Sequence, residues 1–138
     1  MSAYEQYNTV MSDGPTLVAA LKEFGYEPVC HDTPQPLLGI GGGERPERAH
    51  IVIPRSQVGG AANDIGFVKE NGVFRAIISE FDSSYQGHRM GAYNQTWLGR
   101  LAQKYTEVRT MATARAKGYI FQGKTVVDNK IVLKFGVR

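Results

Sequence analysis

The sequence predicts an α+β fold: an antiparallel sheet with two helices on one face, in a ferredoxin-like or related plait that carries an extra β-hairpin. Three observations lead there. Two apolar runs flank Asn71-Gly72, a dipeptide that favours a tight strand reversal. Leu17, Ala20, Leu21 and Phe24, and later Trp97, Leu101, Tyr105, Val108, Ala112 and Ala116, recur every three to four residues, as one stripe of a helix does. Ile131, Leu133, Phe135 and Val137 alternate strictly after Asp128-Asn129, the pattern of a second hairpin.

Taken in order, Tyr4, Tyr7, Thr9 and Val10 among polar residues predict a half-buried strand. In Ser12-Asp13-Gly14-Pro15, either Ser12 or Asp13 can cap free N–H groups, and Pro15 suits the first turn of a helix. Gly25 is placed to end that helix in a left-handed conformation. Tyr26 to His31 returns as a strand, at an edge or broken, because Pro28 cannot donate to a ladder. Pro34 to Arg48 reads as loop, with two prolines, four glycines and Glu44-Arg45-Pro46-Glu47-Arg48; Ile51 to Ile53 is a short strand ended by Pro54.

With Asn71 and Gly72 as a two-residue loop, Glu70 faces Val73, Phe67 faces Ala76 and Ile65 faces Ile78. Side chains alternate, so Ile65, Phe67, Phe74, Ala76 and Ile78 share one apolar face, while Asp64, Val68, Arg75 and Ser79 take the other. Gly66 opposite Ile77 invites close approach of another element. Gln86 to Tyr93 is loop. Asn94 to Lys117 is helical, with a bend or break expected near Tyr105 because Gly99 and the β-branched Thr106, Val108 and Thr110 weaken it. Gly118 stops that helix, and the terminal hairpin is expected to turn its alternating face to the core.

Length and composition bound the rest. The 138 residues suit one domain, 1–138. Such a chain buries roughly two thirds of its unfolded surface and needs no staples. Apolar residues at 42% and charged residues at 21% are ordinary for a globular protein. No run approaches the ~20 apolar residues of a membrane span, and the opening lacks the basic and apolar regions of a signal peptide. Cys30 is the only cysteine, which excludes an internal disulfide or a multi-cysteine metal cage; a reducing cytoplasm is the expected compartment. The net charge of +3 reads as a solvated surface with its positive residues spread along the chain, so nucleic acid is not the expected partner.

Several stretches then line up with one family: Tyr4…Tyr7-Asn8-Thr9, Leu17…Ala20-Leu21-Lys22…Gly25-Tyr26, Ala49-His50-Ile51-Val52-Ile53, Asp64-Ile65-Gly66-Phe67…Lys69, Gln103-Lys104-Tyr105 and Ala116-Lys117-Gly118-Tyr119. The chain resembles, over nearly its whole length, the uncharacterised reading-frame family of cyanobacteria and red-algal plastids known as domain of unknown function 1257. Asp64-Ile65-Gly66-Phe67 is the most specific piece. Members usually end the second hairpin strand in an acidic, tryptophan-containing stretch, where this chain has Arg75-Ala76-Ile77-Ile78-Ser79-Glu80-Phe81. The family has no established activity to carry over; the resemblance implies accessory proteins encoded near an AAA+ ATPase and another small uncharacterised protein, and no cofactor is expected.

The residues themselves suggest few sites. Gly39-Ile40-Gly41-Gly42-Gly43 is a glycine loop without the following helix that a phosphate cradle needs. With Arg45, Arg48 and Arg55 nearby, Gly41, Gly42 and Gly43 are the candidate anion site. His31, His50 and His88 lie far apart without metal-ligand spacing, so no metal site is expected, and Cys30 reads as a small, partly buried side chain. Asp64, Glu80 and Asp82 are the acid candidates; Glu80 opposite Asn63, with Tyr85 and His88 close in sequence, is the remaining acid–base grouping, and a closing of the core edge is the simpler reading. Asp64 is expected to pair with Arg75. Phe81, Tyr85, His88 and Tyr93 around a polar loop form the candidate partner-facing patch.

With a complete fold grammar and no convergent catalytic set, the expectation is a non-enzymatic accessory or binding protein. It would act through protein contacts, self-assembling or serving an AAA+ ATPase system. The alternative is a binder of a small anionic ligand, a nucleotide or phosphate, at the glycine loop and its arginines.

Overall fold

The computed structural model describes residues 3–137. Strands β1 (Tyr4–Asn8), β2 (Val29–Leu38), β3 (Glu44–Ile53), β4 (Ile65–Glu70) and β5 (Val73–Ser79) form one antiparallel sheet in the order β1-β5-β4-β3-β2. Helix α1 (Gly14–Glu23) follows β1, and a single turn, α2 (Arg55–Val58), follows β3. After β5 come α3 (Glu80–Ser84) and α4 (Gln95–Ala116), then a separate two-stranded sheet of β6 (Tyr119–Val127) and β7 (Lys130–Val137).

The β4–β5 hairpin has the register read from Asn71-Gly72: Glu70 pairs with Val73, Phe67 with Ala76 and Gly66 with Ile77. Both turn residues have positive φ, 52° and 83°, as a type I′ turn requires. Ile65, Phe67, Phe74, Ala76 and Ile78 accordingly share the main core with Leu17 and Leu21 of α1 and Trp97, Leu101 and Tyr105 of α4. Asp13 caps α1 by accepting the Thr16 N–H, and Gly25 ends it at φ 94°.

The other face of the sheet is also covered, contrary to the expected loop from Pro34 to Arg48. Only Gly39–Gly43 is a turn; the flanking residues continue β2 and β3. Register shifts between Cys30 and Gln35, and again between Pro36 and Leu38, bend this long hairpin. Its distal half folds back across the sheet. Leu37 and Ala49 bury against Val52, Val68 and Ile77, and Arg45 of β3 reaches Tyr4 of β1 at the opposite sheet edge, 5.1 Å from the ring centre. Gly66 permits this: a Cβ there would lie 2.6 Å from the Ala49 Cβ and 2.8 Å from Leu37 Cδ2. Pro34 and Pro36 are tolerated because β2 is an edge strand.

Two further expectations need correction. Helix α4 runs without a break past Tyr105, where the Thr106 hydroxyl donates back to the Ala102 carbonyl. At 22 residues, roughly 33 Å, it outruns the sheet. Trp97, Leu98, Leu101 and Tyr105 are buried in its first half, but only Ala114 in its second. The terminal hairpin does not reach the main core. Its turn, Asp128 and Asn129 with φ of 50° and 62°, forms as expected, but the alternating face of Ile131, Leu133 and Phe135 meets only the projecting part of α4, and Val137 is open to solvent. Alternation gives a strand one apolar face; it does not say what covers that face.

Candidate functional site

The acids that sequence placed at the sheet edge resolve into a buried polar knot. β5 ends at Ser79 because Ser79 caps α3, its hydroxyl accepting the Asp82 N–H. That ending leaves Glu80 exposed, not facing the core beside Asn63, and turns Asp82 inward instead. Ser79-Glu80-Phe81-Asp82 has the capping-box spacing, the local signal that turns the acid candidate Asp82 back toward Ser79. One carboxylate oxygen of Asp82 accepts from the Asn63 backbone N–H, the Asn63 amide and the Ser79 hydroxyl at 2.8–3.1 Å. The other lies 2.8 Å from His88 Nε2. Both side chains are closed to water, at 0% and 1% exposure.

Asp64 also differs from expectation. β4 begins only at Ile65, so the Asp64 side chain is not held on the strand face that carries Arg75. It accepts the Leu38 N–H at 2.8 Å and the Arg55 N–H at 2.7 Å, while its carbonyl accepts the Tyr4 hydroxyl at 2.7 Å. Asn63 accepts the Ile40 N–H at 3.0 Å. Two adjacent side chains thus tie the glycine turn, the β3–α2 corner and α3 to one sheet end. Arg75 meets Glu70 at 3.9 Å and Gln6 at 3.2 Å. Burial, then the nearby charges of Asp64 and Asp82, hold the Tyr4 phenol well above its ordinary range.

Phe81, Tyr85, His88 and Tyr93 do form one cluster. Phe81 and Tyr85 stack at 5.0 Å, and His88 meets the rings of Phe81, Tyr85 and Tyr93 at 4.6–5.9 Å. His88 and Tyr93 are inside, however, so Tyr85, 46% exposed, and the half-buried Phe81 are what a partner would meet there. Gly59 lies so close to the His88 ring that no side chain fits on it. The Asp82–His88 pair is a clasp that holds the segment after α3 against the core. Sealed from water, it has no route by which a substrate would reach it.

The candidate anion residues are only partly assembled. Gly41 and Gly42, with φ near 90°, and Gly43 lie open at the turn, and a Cβ on Gly42 would be 3.8 Å from the Arg55 guanidinium. Arg45 instead lies over Tyr4, and Arg48 sits further along β3 beside Gln6, Val68 and Glu70. Cys30 is exposed, not partly buried. Among the described residues no three His, Cys, Asp or Glu side chains converge as a metal site, and no helix is long and apolar enough to cross a membrane.

The least satisfied surface is the arm formed by the second half of α4 and the β6–β7 ribbon. Three open clefts of about 480, 330 and 420 Å³ separate ribbon from helix, lined by Thr106, Thr110, Met111, Phe121, Leu133 and Phe135 among others. Lys124 holds the ribbon to α4 through Glu107 at 3.0 Å, with Lys104 on the same carboxylate at 3.4 Å. Burial pushes the Glu107 carboxyl up, but those two ammonium groups outweigh it and hold the carboxyl below its ordinary value. Tyr119, Ile120, Phe121, Val126, Val127 and Val132 are each more than 40% exposed.

Charge is segregated as well, against the expectation of an even spread. From Arg100 onward the sequence has nine Lys and Arg against two Asp and Glu, a net +7; residues 1–99 have seven against eleven, a net −4. Among the described residues, Arg100, Lys104, Arg109 and Arg115 lie on α4 and Lys124, Lys130 and Lys134 on the ribbon, so the fold concentrates what the sequence shows as scattered.

A family model described as a protein of unknown function, DUF1257, matches residues 20–132, a span running from α1 into β7 and including most of the arm. No curated protein matches the chain, and neither does any solved structure.

Proposed function

We propose that this chain, which belongs to the DUF1257 family of proteins of unknown function, is a non-enzymatic accessory protein that works through protein contacts, with the α4–ribbon arm as its docking element. One observation carries the reading. The body has cores on both faces of its sheet, whereas the ribbon leaves seven large apolar side chains in solvent on a single supporting helix. A two-stranded hairpin is marginal by itself and gains stability when a further layer covers it. Contiguous exposed apolar surface is the usual mark of an interaction site. The polar knot supports the same reading, because the buried acid–base pair is spent on holding the body together.

A cytoplasmic setting, which rests on the single cysteine, and a place in the cyanobacterial and red-algal plastid branch of the family with service to an AAA+ ATPase, which rest on the resemblance, are finer parts of this proposal. The test is site-specific photocrosslinking in the native host, with the crosslinker at Phe121 or Val132 on the ribbon and at Lys22 on α1 as control. Crosslinks to protein concentrated at the ribbon support the reading. Equal labelling at Lys22, or none at the ribbon, contradicts it.

One observation favours a second reading, a small anion at the turn: Arg55 stands beside the open Gly41–Gly43 backbone. A thermal-shift series with inorganic phosphate and nucleotides tests it. A ligand at 100 times its dissociation constant adds about 2.7 kcal/mol, and an unmoved melting temperature in every case ends the idea.

A further inference from the structure

Resting on that reading, we propose that the arm's partner is a second copy of this chain, the basic ribbon of one copy lying along the acidic edge strand β1 of the other. The charge division argues for it. The arm, residues 106–137, carries six Lys and Arg against two Asp and Glu, a net +4, and the body, residues 1–105, nine against eleven, a net −2; one arm repels another and attracts a body, and both halves of that match are present in one sequence. Edge geometry argues for it too. β1 has β5 on one side only, and β6 and β7 have only each other, so each offers an unpaired row of backbone donors and acceptors.

The acidic groups sit where such a strand would arrive. Glu5 lies on β1 and accepts from the Tyr7 hydroxyl at 2.9 Å, and the N–H of Glu80 donates to the Ala3 carbonyl at 2.8 Å, which puts Glu80 at the end of the same edge. Both carboxylates are exposed and both act on Tyr7. On the ribbon, Lys124 is engaged with Glu107, while Lys130 and Lys134 are exposed along β7. Strand addition supplies main-chain hydrogen bonds, and the lysines opposite Glu5 and Glu80 select the edge. The contact is reciprocal, arm to body and body to arm, so it closes as a two-fold dimer instead of growing a fibre.

Nucleic acid is the other occupant a basic ribbon suggests. Phe121 and Phe135 pack edge-to-face at 5.8 Å, so the exposed Tyr119 and Phe121 do not extend into a row of parallel faces on which successive bases would stack.

The experiment is a charge swap read by sedimentation velocity on the full chain, with thermal melts to confirm that each variant folds. Wild type is expected to dimerise at concentrations up to about 100 µM. Dimerisation is expected to weaken as salt rises from about 0.1 M to about 1 M, which cuts the screening length from about 10 Å to about 3 Å. Glu5→Lys with Glu80→Lys, and separately Lys130→Glu with Lys134→Glu, should each weaken dimerisation by about tenfold or more. Mixing the two variants should restore a dimer, because each then meets its opposite charge. A monomeric wild type in low salt overturns the proposal, as does failure of the mixture to associate when each variant alone is monomeric. A wild type that stays monomeric but shifts on addition of single-stranded oligothymidine makes the arm a nucleic-acid surface and also overturns it. Ribbon crosslinks to a different protein with a monomeric chain would remove the second copy as partner and leave the docking arm standing.

Discussion

The phenolic oxygen of Tyr105 accepts the backbone N–H of Asp13 at 2.9 Å, and with it that of Ser12 at 3.1 Å, so a side chain of α4 satisfies the backbone at the entry to α1. Arg109, one turn on, donates to the same oxygen at 3.1 Å. Tyr105→Phe keeps the ring in the core and removes the acceptor. The expected loss is about 1–3 kcal/mol, the cost of leaving buried donors unsatisfied, read as a lower urea midpoint with an unchanged slope.

The same contacts set an order of tyrosine ionisation. Burial pushes the Tyr105 phenol up, but the donors of Asp13, Ser12 and Arg109 prevail and leave it below its ordinary value of 10.0. Burial holds Tyr26 and Tyr93 above that value. The signs follow by linkage. Tyr26 and Tyr93 contribute stability that is fully present below pH 10 and lost as pH rises through their folded values. Tyr105 contributes above pH 10, and that contribution fades as pH falls through its folded value. Tyrosinate absorbance should therefore show Tyr105 ionising before Tyr26 and Tyr93, with those two appearing alongside alkaline unfolding. The early step should vanish in Tyr105→Phe.

The clasp makes a second prediction. His88→Ala removes the partner of one buried Asp82 oxygen and empties the ring's place among Phe81, Tyr85 and Tyr93; a buried polar group left unsatisfied costs about 1–3 kcal/mol. Gly59→Ala should also destabilise, since its methyl group meets the His88 ring. Denaturant melts of both variants check this; a variant as stable as wild type would show that the pair does not hold the segment after α3.

On the second face, Gly66→Ala sets a methyl group against Ala49 and Leu37. Overpacking of this kind costs typically about 1–3 kcal/mol. Limited proteolysis should then cut within Gln35–Arg48 sooner than in wild type.

Glu107 ties the arm down only while it is ionised. Its folded value is depressed, so its contribution is complete above the ordinary 4.5 and is lost as pH falls through the folded value. Acid should loosen the ribbon before the body unfolds. Glu107→Gln should produce the same loosening at neutral pH, detectable by near-ultraviolet changes from Tyr119 and Phe121.

What the sequence revealed depended on how local the cause was. Asn71-Gly72 specifies its turn with two residues, and the register of five pairs follows by counting. Asp13 and Gly25 bound α1 for equally local reasons. Pro34 to Arg48 misled because prolines and glycines there mark an edge strand, a bulge and a turn, a distinction decided by the distant Gly66 leaving room for Leu37 and Ala49. The Asp82–His88 clasp needed Asn63, Ser79 and Gly59 brought together from three segments. The arm was misplaced because alternation in Ile131–Val137 reports an apolar face without reporting whether the sheet or a helix overhang lies beneath it.

Hydrogen exchange of the full chain, dilute and concentrated, tests the central claim most directly, since an unsupported ribbon opens easily while a covered one does not. β6–β7 amides should exchange far faster than those of β4–β5 in dilute protein and become protected, together with the β1 edge, when the protein associates, with β4–β5 unchanged. Ribbon amides as slow as those of β4–β5 in a dilute monomer would contradict it.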